Sequence, residues 1–141
     1  MTISQIHASL AQSATIFLGV LSVWAVLYAI LNKELDSNWF GAAVIGEVMI
    51  VAQVALGVYI YLSGDHNLPR PFLHILYAIA TVISLPAGYG YLSRMMEGRA
   101  LTIALATVTI FLTIMLDRTS VVASFDYNYL ISWIEWVRPL I

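Results

Sequence analysis

Two histidines, His7 and His74, are the residues of this chain best placed to carry chemistry. A pair of neutral imidazoles is a good ligand set for iron, provided both rings reach one metal atom. His66, eight positions before His74, is the one remaining histidine. Glu47 and Gln53 are a carboxyl and an amide set in long apolar runs, where such groups are costly and so become functional candidates. Arg70 and Arg118 carry the planar guanidinium fork that pairs bidentately with carboxylates. Other chemistries are excluded by residue type. There is no cysteine, so no disulfide, thiolate site or cysteine nucleophile. The sequence has no Gly-rich phosphate loop, no His-Glu-x-x-His and no Gly-x-Ser-x-Gly. Three scattered histidines without cysteine do not make a structural zinc site.

The elements that must position these residues follow from composition. The chain has 141 residues, 61% hydrophobic and only 10% charged, against roughly 25% charged in an ordinary soluble domain. A soluble fold of this size leaves too much surface in water to hide that apolar area. Six Lys and Arg against eight Asp and Glu give a net charge of −2, with no basic stripe for nucleic acid. The chain reads as an integral membrane protein. A bilayer core of about 30 Å needs roughly 20 apolar residues per helix, and four runs qualify, at about 14–31, 41–62, 72–92 and 101–116. Connections at 32–38, 63–70 and 93–99 are short, so neighbours are antiparallel. The expected fold is all-α: an up-down-up-down four-helix transmembrane bundle over 1–118, followed by an amphipathic interfacial helix over 119–141.

That topology aligns the first and third helices in the same direction. His7 and His74 both lie near the N-terminal ends of their helices, so they share one membrane face. Each can point an imidazole into the bundle at similar depth, with a haem b between them as the cofactor to expect. Two interfacial histidines bonded to loop carbonyls or water are the plainer alternative. Arg70 and Arg118 fall on the same face, near the propionates of such a haem, or serve as simple membrane-edge anchors. His66 sits in the loop there, solvated, and substitutes for His7 if that residue lies too far out. Glu47 lies toward the other face as a proton relay, a quinone contact, or a snorkelling carboxyl paired with Arg94 or Arg99. Gln53, near mid-membrane, is expected to bond across the bundle. The tyrosines are mostly interfacial or packing residues.

Several local features carry structural expectations. Ile3, Ile6 and Leu10 recur at helical spacing, so the first helix is expected to begin around Ser4, capped by Thr2 or Ser4. No Lys or Arg precedes Lys33, so the N-terminal region does not read as a cleaved signal. Pro86, followed by Gly88 and Gly90, should kink the third helix or break a turn and leave its end irregular. Gly46 with Ala42 offers a close helix approach. Tyr127, Tyr129, Trp133 and Trp136 suit the headgroup zone. Lys33, Arg94 and Arg99 on one face, against Arg70, Arg118 and Arg138 on the other, lean toward the first face being cytoplasmic. Both termini would then lie outside, with a bacterial cytoplasmic membrane the expected location.

The segment 47–76 (EVMIVAQVALGVYIYLSGDHNLPRPFLHIL) resembles part of the haem A synthase family. Gln53, Leu56, Gly57, Leu68, Pro69 and His74 follow that family's order of a Gln-x-x-Leu-Gly helix, a Leu-Pro loop and a helix with an axial histidine. Ile6-His7 resembles the head of the helix bearing the other one. The resemblance spans roughly the first three helices and implies a haem held between His7 and His74. The glutamate and arginine that flank the family's first histidine are Ser4 and Ala8 here, and only one half of the family's two is present. Synthase activity is therefore not implied. The reading is a membrane b-type cytochrome, or a haem-carrying subunit of an electron-transfer complex, with other membrane subunits or further copies as partners. The alternative is a cofactor-free accessory subunit of a respiratory or photosynthetic assembly. A small transporter with Glu47 as coupling carboxylate is a third.

Overall fold

The computed structural model describes residues 2–64, 68–124 and 138. Among these residues the regular structure is four α-helices: α1 (Ile3–Ile30), α2 (Ser37–Leu62), α3 (Pro71–Met95) and α4 (Gly98–Ser124). All four are long and apolar enough to cross a membrane. At 1.5 Å per residue, helices of 25 to 28 residues span about 38–42 Å, so their ends pass beyond the ~30 Å hydrocarbon layer. The expected all-α membrane bundle is the observed architecture.

Each helix begins for a local reason. Thr2 caps α1: its hydroxyl accepts from the Gln5 N–H while the Gln5 side chain takes the Thr2 N–H, a reciprocal capping box. Asp36 caps α2 through Trp39 N–H at 3.0 Å. Pro71 occupies the first position of α3, where its missing N–H costs nothing. The reversal into α4 uses Gly98 at φ +58°, left-handed backbone that a residue with a Cβ adopts only at a cost.

Around the bundle, α1 packs against α2 and α4, and α3 against α4 and α2, which leaves α1 and α3 diagonal. The α1–α4 wall is the closest and the α2–α3 wall the thinnest. The core is built from Ala14, Leu18, Leu21 and Ala25 of α1, Trp39 and Ile50 of α2, and Leu105 and Leu112 of α4. Gly46 lets α2 come close to α1: a Cβ built there would sit 2.9 Å from Leu18 Cδ2. The Trp39 indole N–H donates to the Leu21 carbonyl at 3.2 Å, so its ring is buried without an orphaned donor. Between α1 and α4 the hydroxyls of Ser22 and Thr113 lie 3.2 Å apart, an interhelical polar contact. Ile16, Val20, Val23 and Leu27 of α1 face outward, as lipid-facing residues do.

Two local expectations are corrected. α3 runs unbroken through Pro86, Gly88 and Gly90 to Met95, with no irregular end. Proline removes the N–H that would bond the Val82 carbonyl. Back-bonds from Thr81 to Ala78 and from Ser84 to Ala80 occupy other carbonyls of this stretch, and transmembrane helices tolerate such interruptions. The fourth helix does not stop at Asp117-Arg118 but continues to Ser124. Thr119 and Ser120 hydroxyls bond back to Met115 and Leu116, turning inward the polar groups that read as a boundary. The amphipathic tail expected over the aromatic-rich end, residues 125–137 and 139–141, lies outside the described residues, as does His66.

Candidate metal centre

The capping box at Thr2 starts α1 early enough to make His7 part of its first two turns. Pro71 starts α3 so that His74 falls in its first turn, its N–H bonded to the Arg70 carbonyl. Both histidines therefore sit at the same end of the bundle, on diagonal helices, each half-buried. Their ring centroids are 6.3 Å apart with planes at 61°. Two imidazoles on opposite sides of one metal atom have centroids about 6 Å apart, from metal–nitrogen distances of about 2 Å plus the ring radii. The observed separation matches that bridging distance. It is also an edge-to-face contact between two rings, weakly favourable by itself.

Hydrogen bonding fixes what each ring offers. His74 Nδ1 lies 3.2 Å from the Thr119 carbonyl. A carbonyl only accepts, so Nδ1 carries the hydrogen and, in the neutral ring, Nε2 carries the lone pair. A histidine ligand held by its other nitrogen on a backbone carbonyl is the usual outer support of a metal site. Sequence reasoning missed Thr119, because it ended α4 about two turns too early. Its run of back-bonding threonines, Thr109, Thr113 and Thr119, is the signal that the helix goes on.

His7 is placed by α2. Gln53 Nε2 is 3.3 Å from His7 Nε2. An amide nitrogen donates, so Nε2 accepts and Nδ1 is left with a hydrogen; turning the amide over reverses both roles. In the arrangement present, His7 Nδ1 and Gln53 Oε1 are buried with no hydrogen-bond partner. Unsatisfied buried polar atoms are rare in native structures and mark places where a further group belongs. Gly57, one turn beyond Gln53, forms the cradle: a Cβ there would come within 3.0 Å of His7 Cε1. The expectation that Gln53 bonds across the bundle thus holds, with His7 as its partner.

Arg70 and Arg118 belong to the same end. Arg70 is the residue before α3, one turn from His74, and Arg118 precedes Thr119 in α4; both are exposed. Glu47 lies about 9 Å along α2 from the level of Gln53, toward the other membrane face. Its Oε2 is buried without a partner. Among the described residues no three or more His, Cys, Asp and Glu side chains gather to hold a metal ion. The candidate ligands that the described residues bring together are two histidines. Such a pair fits a metal whose other ligands come with it, as the four nitrogens of a porphyrin do. No protein family, curated protein or solved structure was found to match this chain.

Proposed function

We propose that this protein is a membrane b-type cytochrome, or the haem-carrying subunit of a larger electron-transfer complex, with His7 and His74 as axial ligands. The observation that carries the reading is the 6.3 Å approach of the two rings together with the anchoring of His74 Nδ1 on the Thr119 carbonyl. The resemblance of residues 47–76 to the haem A synthase family points the same way. Haem b, held by the His7 and His74 imidazoles, would supply a one-electron iron couple.

The chain's own residues have separable tasks. Thr119 fixes the tautomer and tilt of His74. With its amide turned so that Oε1 accepts from His7 Nε2, Gln53 would leave the His7 Nδ1 lone pair for the iron, and Gly57 keeps the space beside that ring. Arg70 and Arg118 supply positive charge at the end where propionates would emerge. The thin α2–α3 wall is the side with least packing for a flat ring to displace. Lys33, Arg94 and Arg99 in the short connections of the opposite end, against Arg70 and Arg118 beside the histidines with Arg138 further out, lean toward that opposite face being cytoplasmic and both termini lying outside a bacterial membrane.

The test is a dithionite-reduced minus air-oxidised spectrum of protein purified after haem-sufficient expression. A sharp α-band of bis-imidazole haem b, abolished in His7→Ala and His74→Ala with the helical circular dichroism retained, is the expected result. A featureless wild-type spectrum overturns the proposal and leaves the accessory-subunit reading.

A further inference from the structure

A concavity lies away from the histidines, at the other end of the bundle. It is an open-sided groove of about 280 Å³ between the C-terminal half of α1 and the N-terminal half of α4. Ala29 and Ala106 give it a floor, since two small side chains leave the ridges of both helices missing there. Ile30, Ile103 and Ile110 form its rims and are exposed, so the groove faces lipid rather than the bundle interior. Arg99, at the second position of α4, is its one charged lining residue. Glu34 approaches the neighbouring Gly98, but its carboxylate does not line the groove.

Length and charge together select the occupant. From Arg99 to Ile110 is eleven residues, about 16 Å along α4, which is half of the ~30 Å hydrocarbon thickness. The groove therefore runs from the interface to the middle of the bilayer, the depth of one leaflet. Its volume falls just under the ~300–1,000 Å³ of clefts for drug-sized ligands, a size suited to one extended chain. A guanidinium at its interfacial end binds a phosphate oxygen pair bidentately. Basic pockets between transmembrane helices are where anionic headgroups are held. We propose that this groove binds one anionic phospholipid, its phosphodiester at Arg99 and one acyl chain laid along Ile103, Ala106 and Ile110. The site is independent of the haem reading.

Native mass spectrometry of the detergent-purified, delipidated full chain tests this, with phosphatidylglycerol, phosphatidylcholine and inorganic phosphate as probes. Expected is one retained phosphatidylglycerol, bound at least about fivefold more tightly than phosphatidylcholine, as one interfacial arginine provides. Arg99→Gln brings the two lipids to equal retention. Thr107→Phe, an exposed position at the groove's edge, fills the channel and lowers retention of both. Equal retention of the two lipids by the wild type overturns the proposal. So does an unchanged preference in Arg99→Gln, or unchanged retention in Thr107→Phe, which places the lipid elsewhere. Displacement by inorganic phosphate alone overturns it as well, since the site then reads only the anion.

Discussion

Gly57 and Glu47 sit on one helix and separate two kinds of polar position inside a membrane. At Gly57 the missing side chain is what leaves room for the His7 ring. A methyl group there would meet His7 Cε1 at 3.0 Å, tighter than ordinary contact. Gly57→Ala gains about 0.5–1 kcal/mol of helix propensity against crowding of about 1–3 kcal/mol, and the half-buried ring has room to give. Thermal stability in detergent should therefore change by less than about 1 kcal/mol. The His7 ring is displaced, and the haem band should weaken or shift. A variant with the wild-type spectrum would show that the cradle is incidental. Glu47 is the opposite case, a carboxyl whose Oε2 is buried without a partner. A buried unpaired polar group costs about 1–3 kcal/mol, and nothing among the described residues offsets it. Glu47→Leu should raise the unfolding midpoint in detergent by that order while leaving the haem spectrum intact. A lowered midpoint would mean that the carboxyl has a partner in the folded protein.

The α1–α2 corner shows how much each element owes to one or two positions. Asp36 caps α2, and its carboxyl is held below the ordinary carboxylate range, chiefly by the Trp39 N–H, which outweighs the opposing effect of burial, with Tyr28 and Asn38 adding lesser help. A lowered folded value means the cap's contribution is complete above the unfolded carboxylate pKa and is lost as pH falls through the folded one. The protection factors of amides in the first turn of α2, exchange rates corrected for their intrinsic pH dependence, should fall on acidification through that range. Asp36→Ala should show low protection already at neutral pH and no further loss on acidification. Gly46 fixes the spacing of the same two helices. Gly46→Ala must move Leu18, which is fully buried, so crowding should exceed the propensity gain and lower stability by about 1 kcal/mol. Sequence made much of this readable. Span length gave the four helices, Thr2 gave the start of α1, and Gly46 gave the close approach. What it did not make readable were tertiary effects on local rules. Pro86 followed by Gly88 and Gly90 normally loosens a helix end, yet α3 stays regular to Met95. Asp117-Arg118 normally marks a membrane edge, yet α4 passes it and thereby brings the Thr119 carbonyl to His74. No local pattern reports that contact, because its two partners belong to different helices.

At the scale of the whole molecule the bundle is polar at two ends with different jobs. One end gathers His7, Gln53, Gly57, His74 and the Thr119 carbonyl; the other carries Lys33, Arg94 and the Arg99 groove. The four described spans place the start of α1 and the end of α4 at the histidine end, so a single orientation decides which solution that end faces. Basic residues near span ends resist translocation, and in the proposed orientation Arg99 meets the cytoplasmic leaflet, whose anionic lipids match its charge. The chain has no cysteine, so single-cysteine variants report topology without background. Lys33 follows α1 and Ser63 follows α2, and both are exposed on opposite faces of the bundle. Ser63→Cys should react with a membrane-impermeant maleimide on intact cells, and Lys33→Cys only after permeabilisation. The reverse pattern would put the histidine pair at the cytoplasmic face and the groove in the outer leaflet. Electrons would then have to reach the centre from cytoplasmic donors or from within the membrane, and the charge asymmetry of the loops would have failed to orient the chain.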